Sequence, residues 1–525
     1  MSIISAVGDI VQRKKTVHSV RPFVFVIAAL SVFVPSFSCV EHRLTEAELE
    51  EYLDEREAVF EDISVQMGTA VWNLYTDEGE ADQVTPKKRF SELFSSDSLN
   101  TIVDTWYKQR DTIEAPGLAR RVEIWHNILT GSRVNHAEDV SRIQTELETW
   151  LTEEDTTVTR PSDEELESAM LTLMRLRDVK AREIGFDGYP DMMFEITGIG
   201  SEWFYNFVAT IDSVTSIPYQ EMIARTREEI GKDTLEYADV RELVMPFYRN
   251  DLGPAIENDR YIPLMKETVE NIGIDYDVLP VRFVEAQMPA GIGGQGFAIR
   301  IPDDFRAVMA PELPFEHRMH ELGHGLQWMF TKTDAPILKG YEWCFGNEFP
   351  GFSEGMAETM AWFTKNHEWQ KKYTGSTDSE IDAKVTALKT YAPVYLRFQL
   401  VIFMFEIEFY NDLDRDAIEL YNELLRKYLL VDKPTDRLLM PLANMAYVSY
   451  PVYLQNYLLA DMVAWQVHQA LEKRYGRTYA FDERVSEFLV KELYENGELV
   501  PWRTRLKNAT GRELDLMGYL GSLGM

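Results

Sequence analysis

Three residues in the segment FEHRMHELGHGLQWMF stand at a spacing that could do chemistry: His320, Glu321 and His324. On a helix turning about 100° per residue, His320 and His324 fall within about 40° of one another on adjacent turns. Two imidazoles so placed can bind one tetrahedral zinc. Glu321 is displaced around the helix, where a carboxylate can take a proton from water without ligating; this is the physical content of the His-Glu-x-x-His pattern. The competing explanation is a polar helix face with accidental spacing. With nine histidines in 525 residues, chance produces the pattern on the order of once in a hundred such chains, so metal chemistry is the stronger reading.

Zinc needs a third protein ligand, and the segment PGFSEGMAETMAWF offers one. Phe352, Met356 and Phe363 mark an apolar face, while Glu354 and Glu358 share the other, four residues apart. Two carboxylates a turn apart repel unless a cation or a donor lies between them. A zinc bound by Glu354, with Glu358 orienting a ligand histidine, removes that conflict. A solvated acidic face is the alternative, and Glu342, Cys344 and Glu348 are competing ligands from the intervening loop. His317 lies on the ligand-facing side, but its spacing of three to His320 makes it a poorer partner than His324. Cys344 reads most simply as a buried small hydrophobe.

The elements that must hold these groups are mostly helical. Phe315, Met319, Leu322, Leu326 and Met329 recur at steps of four and three and predict an amphipathic helix whose histidines face away from the packed stripe. The same recurrence marks 44–63, 166–186, 395–413 and 417–430. Two strands are expected just before the histidines, in DVLPVRFVEA and in GFAIRIP at 296–302. GIGGQG at 291–296 precedes a strand instead of following one, so a flexible turn is expected there and not a nucleotide loop. Tyr450, Tyr453, Tyr457, Asp461 and His468 are expected along one helical stripe, forming a polar, aromatic wall. The composition, 45% hydrophobic and 27% charged without linker or repeat, suits one large globular unit.

A net charge of −34, from 53 basic and 87 acidic residues, argues against nucleic acid as a partner. The N-terminus carries Arg13, Lys14, Lys15 and Arg21, then the apolar run at 23–34 and PSFSC. These features predict an export signal over 1–38, followed by a single domain over 39–525. The apolar run is short for a membrane span. Cys39 fits a lipid-bearing first residue that would attach the chain to a membrane, and Ser36 and Ser38 equally fit ordinary cleavage; the expected location is periplasmic, membrane-anchored or secreted. With Cys344 as the only other cysteine, no disulfide framework is available.

HELGH, PGFSEGMAE, VWNLY at 71–75 and YPVYLQNYLLADMVAWQVHQAL together resemble the gluzincin metallopeptidases related to angiotensin-converting enzyme, or peptidyl-dipeptidase A, with the thimet oligopeptidase group nearby. The resemblance spans most of the chain after the signal. It implies a mainly α, two-lobed helical metallopeptidase with a deep central channel that admits peptides, and a small β-sheet near the zinc-binding helix. It further implies one Zn2+ per chain held by His320, His324 and Glu354, Glu321 as general base, Glu358 behind a ligand histidine, and Tyr457 donating to the oxyanion. The expected reaction is hydrolysis of short peptides by a metal-activated water. Three departures bear on specificity. The family's oxyanion-assisting histidine has no counterpart, since Tyr447 or Met445 occupies its region. Met445 and Leu454 stand where a lysine and a tyrosine hold the substrate's terminal carboxylate, and Asn456 replaces an arginine associated with chloride activation. Cleavage of internal bonds is therefore expected, with release of C-terminal dipeptides as the alternative. A zinc-containing peptide-binding protein with weak turnover is the remaining reading.

Overall fold

The computed structural model of the protein describes residues 44–152, 161–248, 253, 256–288, 293–347, 349–431 and 445–525. The expected signal at 1–38, Cys39 and Glu348 lie outside the described residues. From Glu46 onward the chain forms one compact unit.

Helices dominate, and their ends follow local chemistry. Helix α1 (Glu46–Thr76) and α2 (Pro116–Asn135) are followed by α3 (Asp163–Glu183), whose first turn is closed by reciprocal hydrogen bonds between Ser162 and Glu165. After α4 (Ser201–Ile230), which ends on left-handed Gly231, come the strands β1 (Val281–Glu285), β2 (Gly294–Arg300) and β3 (Asp304–Met309). Helices α5 (Phe315–Met329), α6 (Pro350–Ala361), α7 (Asp378–Asn411), α8 (Ala417–Leu429) and α9 (Gln455–Tyr475) follow. Thr377 and Glu380 cap α7 as Ser162 and Glu165 cap α3, and Pro350 opens α6, where its missing N–H costs nothing.

The sheet has the order β1-β3-β2, with β1 parallel and β2 antiparallel to β3. β3 was not expected from the sequence: its alternation is only six residues long and begins almost directly after β2, so it reads as a continuation of that strand. The turn expected at GIGGQG is corrected over its second half, because Gly294–Gly296 are the first residues of β2, paired with β3 from Met309 to Ala307, while 291–292 lie outside the described residues.

Buried apolar side chains gather in two main clusters, one of which joins α1 and α2 to part of the sheet, while the larger is built from the later helices. Helix α5 feeds both: Phe315, Met319, Leu322 and Leu326 pack into the larger cluster and Trp328 into the other. Each fully buried side chain of this size stabilises by about 1.5–3 kcal/mol, which anchors the helix from both sides. Arg318, almost wholly buried, ties its first turn to the sheet by donating to Glu285 Oε1 at 2.7 Å and to the carbonyls of Leu313 and Pro311.

Small residues let the site helices approach closely. A Cβ on Gly323 would lie 2.6 Å from Ala357 Cα on α6, and one on Gly355 would lie 2.7 Å from Val463 Cβ on α9. A Cβ on Gly325 would fall 2.4 Å from the ring of Phe305 on β3. The glycines of HELGHG and SEGMA thus set the spacing of α5, α6, α9 and the sheet.

Candidate metal centre

The close packing of α5 on α6 brings His320, His324 and Glu354 together, with one ligand-type atom from each within 4.8 Å of the others. Glu354 Oε2 lies 3.2 Å from His320 Nε2 and 3.7 Å from His324 Nε2, and the two rings are 4.8 Å apart at their centres. Ligands about 2.0–2.1 Å from a tetrahedral zinc stand about 3.3 Å apart, so the spacing fits such an ion. Glu354 Oε2 is also buried without a well-formed hydrogen bond, which an anionic oxygen tolerates only beside a cation. Two nitrogens and one carboxylate are the donor set of an open catalytic zinc site.

Glu358, one turn beyond Glu354, accepts from His320 Nδ1 at 3.0 Å and thereby leaves Nε2 free to ligate. The arrangement is asymmetric: His324 Nδ1 is buried with no hydrogen-bond partner, and its ring stacks instead on Trp328. Burial alone would lower the pKa of His320, but the Glu354 and Glu358 carboxylates outweigh it and raise it well above the ordinary value. Burial would likewise raise Glu354 and Glu358, yet the imidazoles hold both below the usual carboxylate range.

Glu321 lies against the glycine-rich start of β2 and still feels the charges of His320, His324 and Glu354. A Cβ on Gly294 would stand 3.1 Å from its Oε1, so the absent side chain makes room for this carboxylate. Burial raises its pKa above 4.5, with the two histidines pulling it down and the Gly296 N–H helping them. A carboxylate with a raised pKa is a better proton acceptor near neutral pH.

Tyr457 lies on the first turn of α9, 45% exposed, and is not a core aromatic. Its hydroxyl feels the site directly: the Glu354 charge, then burial, then the charges around it raise its pKa well above 10. Tyr450 is 48% exposed, yet burial pushes it up to about 12.

The expected stripe is corrected at both ends. Tyr450 and Tyr453 precede α9, although their rings continue the aromatic row, with centres 5.6 Å apart and then 5.8 Å to Tyr457. His468 does not face this wall; it is buried, bonded to Tyr479 Oη and to the Thr359 carbonyl. Tyr447 is buried and donates to the Ile402 carbonyl, so it does not replace the family histidine. Of the competing ligands, Glu342 accepts from Ser353 Oγ at 2.7 Å, Cys344 contacts Asn347 and is half-buried instead of fully buried, and neither joins the ligand group.

Tyr453 is the residue whose role the sequence reading did not assign. Its hydroxyl donates to Glu354 Oε1 at 2.6 Å. Only its spacing of four from Tyr457 hinted at a shared wall, and that spacing says nothing of the Glu354 contact.

The sequence matches no family model and no curated protein. The fold is similar to that of metallocarboxypeptidase 1 of Trypanosoma cruzi, with a TM-score of 0.64 at 13% identity over 91% of this chain and 99% of that one. The M32 carboxypeptidase of Deinococcus radiodurans R1 gives 0.63 at 14% identity, covering 91% and 100%. An oligoendopeptidase F gives 0.61 at 14%, covering 92% and 96%. The chain therefore has the helical fold of these metallopeptidases along nearly its whole described length.

Proposed function

We propose that the chain is a zinc-dependent peptidase acting on short peptides, and that it is exported. The observation that carries this reading is the convergence of His320 Nε2, His324 Nε2 and Glu354 Oε2, with Glu321 beside them and unused as a ligand. A purely structural site has no need of that extra carboxylate. A zinc ion held there would supply a Lewis acid for the scissile carbonyl and would acidify water. Glu321 accepts the proton of the attacking water and passes it to the leaving amine. Tyr457, facing the carboxylates from an exposed position, donates its hydroxyl to the oxyanion. Glu358 keeps His320 in one tautomer and orientation. β2 is an edge of the three-stranded sheet and runs beside Glu321, which supports extended binding of a peptide backbone.

Cleavage of internal bonds follows from Leu454, whose side chain cannot pair with a terminal carboxylate, and from the same lack at Met445 in the sequence. An oligoendopeptidase F among the structural neighbours is in keeping with it. The metallocarboxypeptidases among those neighbours favour a second reading, in which residues or dipeptides are removed from the C-terminus. Export rests on the N-terminal sequence alone. Purified protein, analysed for zinc, should be incubated with one peptide bearing a free and then an amidated C-terminus, with fragment masses recorded. Internal cuts in both forms are expected. Release only from the free C-terminus would transfer the assignment to the second reading, and no cleavage by zinc-loaded protein would reject a peptidase.

A further inference from the structure

Val452 has φ of 55°, in the left-handed region where a β-branched residue is a genuine outlier. Buried polar groups hold it there. Its N–H donates to Glu406 Oε1 at 2.9 Å, and its carbonyl accepts from Gln455 Nε2 at 2.6 Å. Just upstream, the fully buried Arg177 donates to the carbonyls of Tyr447 at 2.8 Å and Val448 at 2.6 Å, and Ser449 Oγ donates to Glu148 at 2.8 Å. Val452, Glu406 and Gln455 are each no more than 4% exposed. A strained backbone persists only where its surroundings over-determine it, and such strain gathers at functional sites.

The next residue is Tyr453, which donates to Glu354 Oε1 at 2.6 Å. A carboxylate has two oxygens and can present either or both to a metal. With Oε1 engaged by the phenol, Oε2 is the atom left facing both imidazole nitrogens.

We propose that the clamped turn at Val452 aims Tyr453 at Oε1 of Glu354, so that this carboxylate presents Oε2 alone to a metal shared with His320 and His324. Tyr453 is thus a positioning residue acting through Glu354, and Val452, Glu406 and Gln455 form the mount. This inference rests on the metal-dependent reading above.

The test is zinc(II) titration of chelator-treated full-length protein against a competing chromophoric chelator, with the absorption spectrum of the cobalt(II) form recorded beside it. Tyr453→Phe should weaken zinc binding about 10–100-fold, as loss of a partner behind a ligand does. Its cobalt spectrum should shift and weaken as the released oxygen joins the coordination shell. Val452→Gly relieves the conformational strain but also removes a buried side chain, so the chelator-treated variant should melt somewhat lower than wild type while its zinc affinity falls severalfold. Glu406→Leu should weaken zinc binding, and Glu406→Gln, whose amide oxygen still accepts the Val452 N–H, should restore it. If Glu406→Leu does not fold, the Tyr453 and Val452 variants decide alone. Wild-type zinc affinity and an unchanged cobalt spectrum in Tyr453→Phe would overturn the proposal while leaving the peptidase reading intact. Wild-type protein that binds no zinc would overturn both.

Discussion

Gly323→Ala tests whether the spacing of α5 and α6 creates the metal centre. The new Cβ would stand 2.6 Å from Ala357 Cα, 2.7 Å from the Ala357 carbonyl oxygen and 3.0 Å from that of Met356. Backbone atoms of a packed helix cannot swing aside as a side-chain tip can. Carbon atoms pack at about 3.5–4.0 Å, so the two helices must part by about 0.9 Å. Carried through to the ligands, the 3.2 and 3.7 Å separations from Glu354 Oε2 become about 4.1 and 4.6 Å. Two bonds of about 2.05 Å span at most about 4.1 Å even when collinear, so a tetrahedral ion could no longer reach all three ligands. Overpacking costs about 1–3 kcal/mol, offset in part by about 1 kcal/mol from replacing a helical glycine with alanine. Net stability should therefore fall only modestly while zinc affinity falls by two orders of magnitude or more. Denaturant unfolding of chelator-treated protein measures the stability and chelator competition the zinc affinity. Gly521→Ala is the control, because nothing lies within 4 Å of the added atom. Zinc binding by Gly323→Ala within twofold of wild type would refute the reasoning.

The remaining predictions concern the chemistry and its pH dependence. Glu321→Gln should keep its zinc, measured by metal analysis, and lose at least 100-fold in peptide turnover; normal turnover would remove Glu321 as the base. Tyr457→Phe should lower kcat on the order of a hundredfold with little change in KM, and an unchanged kcat would assign the exposed phenol to binding alone. Burial pushes Glu406 and Glu498 up to about 8, against 4.5 ordinarily, so the folded state holds protons that the unfolded state has released. Stability from these groups is fully present below about pH 4.5 and is lost as pH rises toward 8, by up to about 1.4 kcal/mol per pH unit for each. His136 and His468, held near 4 by burial, act in the opposite sense only below about 6.5. Denaturant unfolding of chelator-treated protein should therefore show stability falling from pH 6.5 to 8, with a shallower slope in Glu406→Gln; a rising stability would contradict the burial of these acids.

The ligand pairs were legible because each is a local relation. His320 with His324, and Glu354 with Glu358, are neighbours on one helix, and helical periodicity places them without reference to the rest of the chain. The apolar stripe from Phe315 to Leu326 is legible for the same reason, and it becomes the buried face of α5. Relations between elements were not legible. Nothing in the spacing shows that Gly323 brings α6 to within van der Waals contact, that β3 pairs between β1 and β2, or that His468 turns from the aromatic wall toward the Thr359 carbonyl. Tyr453 is the clearest case: its hydroxyl reaches a residue 99 positions away only because Val452 adopts a conformation that its own side chain disfavours. Local sequence determined which groups share a helix face, since that depends on backbone geometry common to all helices. The tertiary structure alone decided which faces meet and at what distance, because close approach, buried clamps and strain arise from packing between segments far apart in the chain.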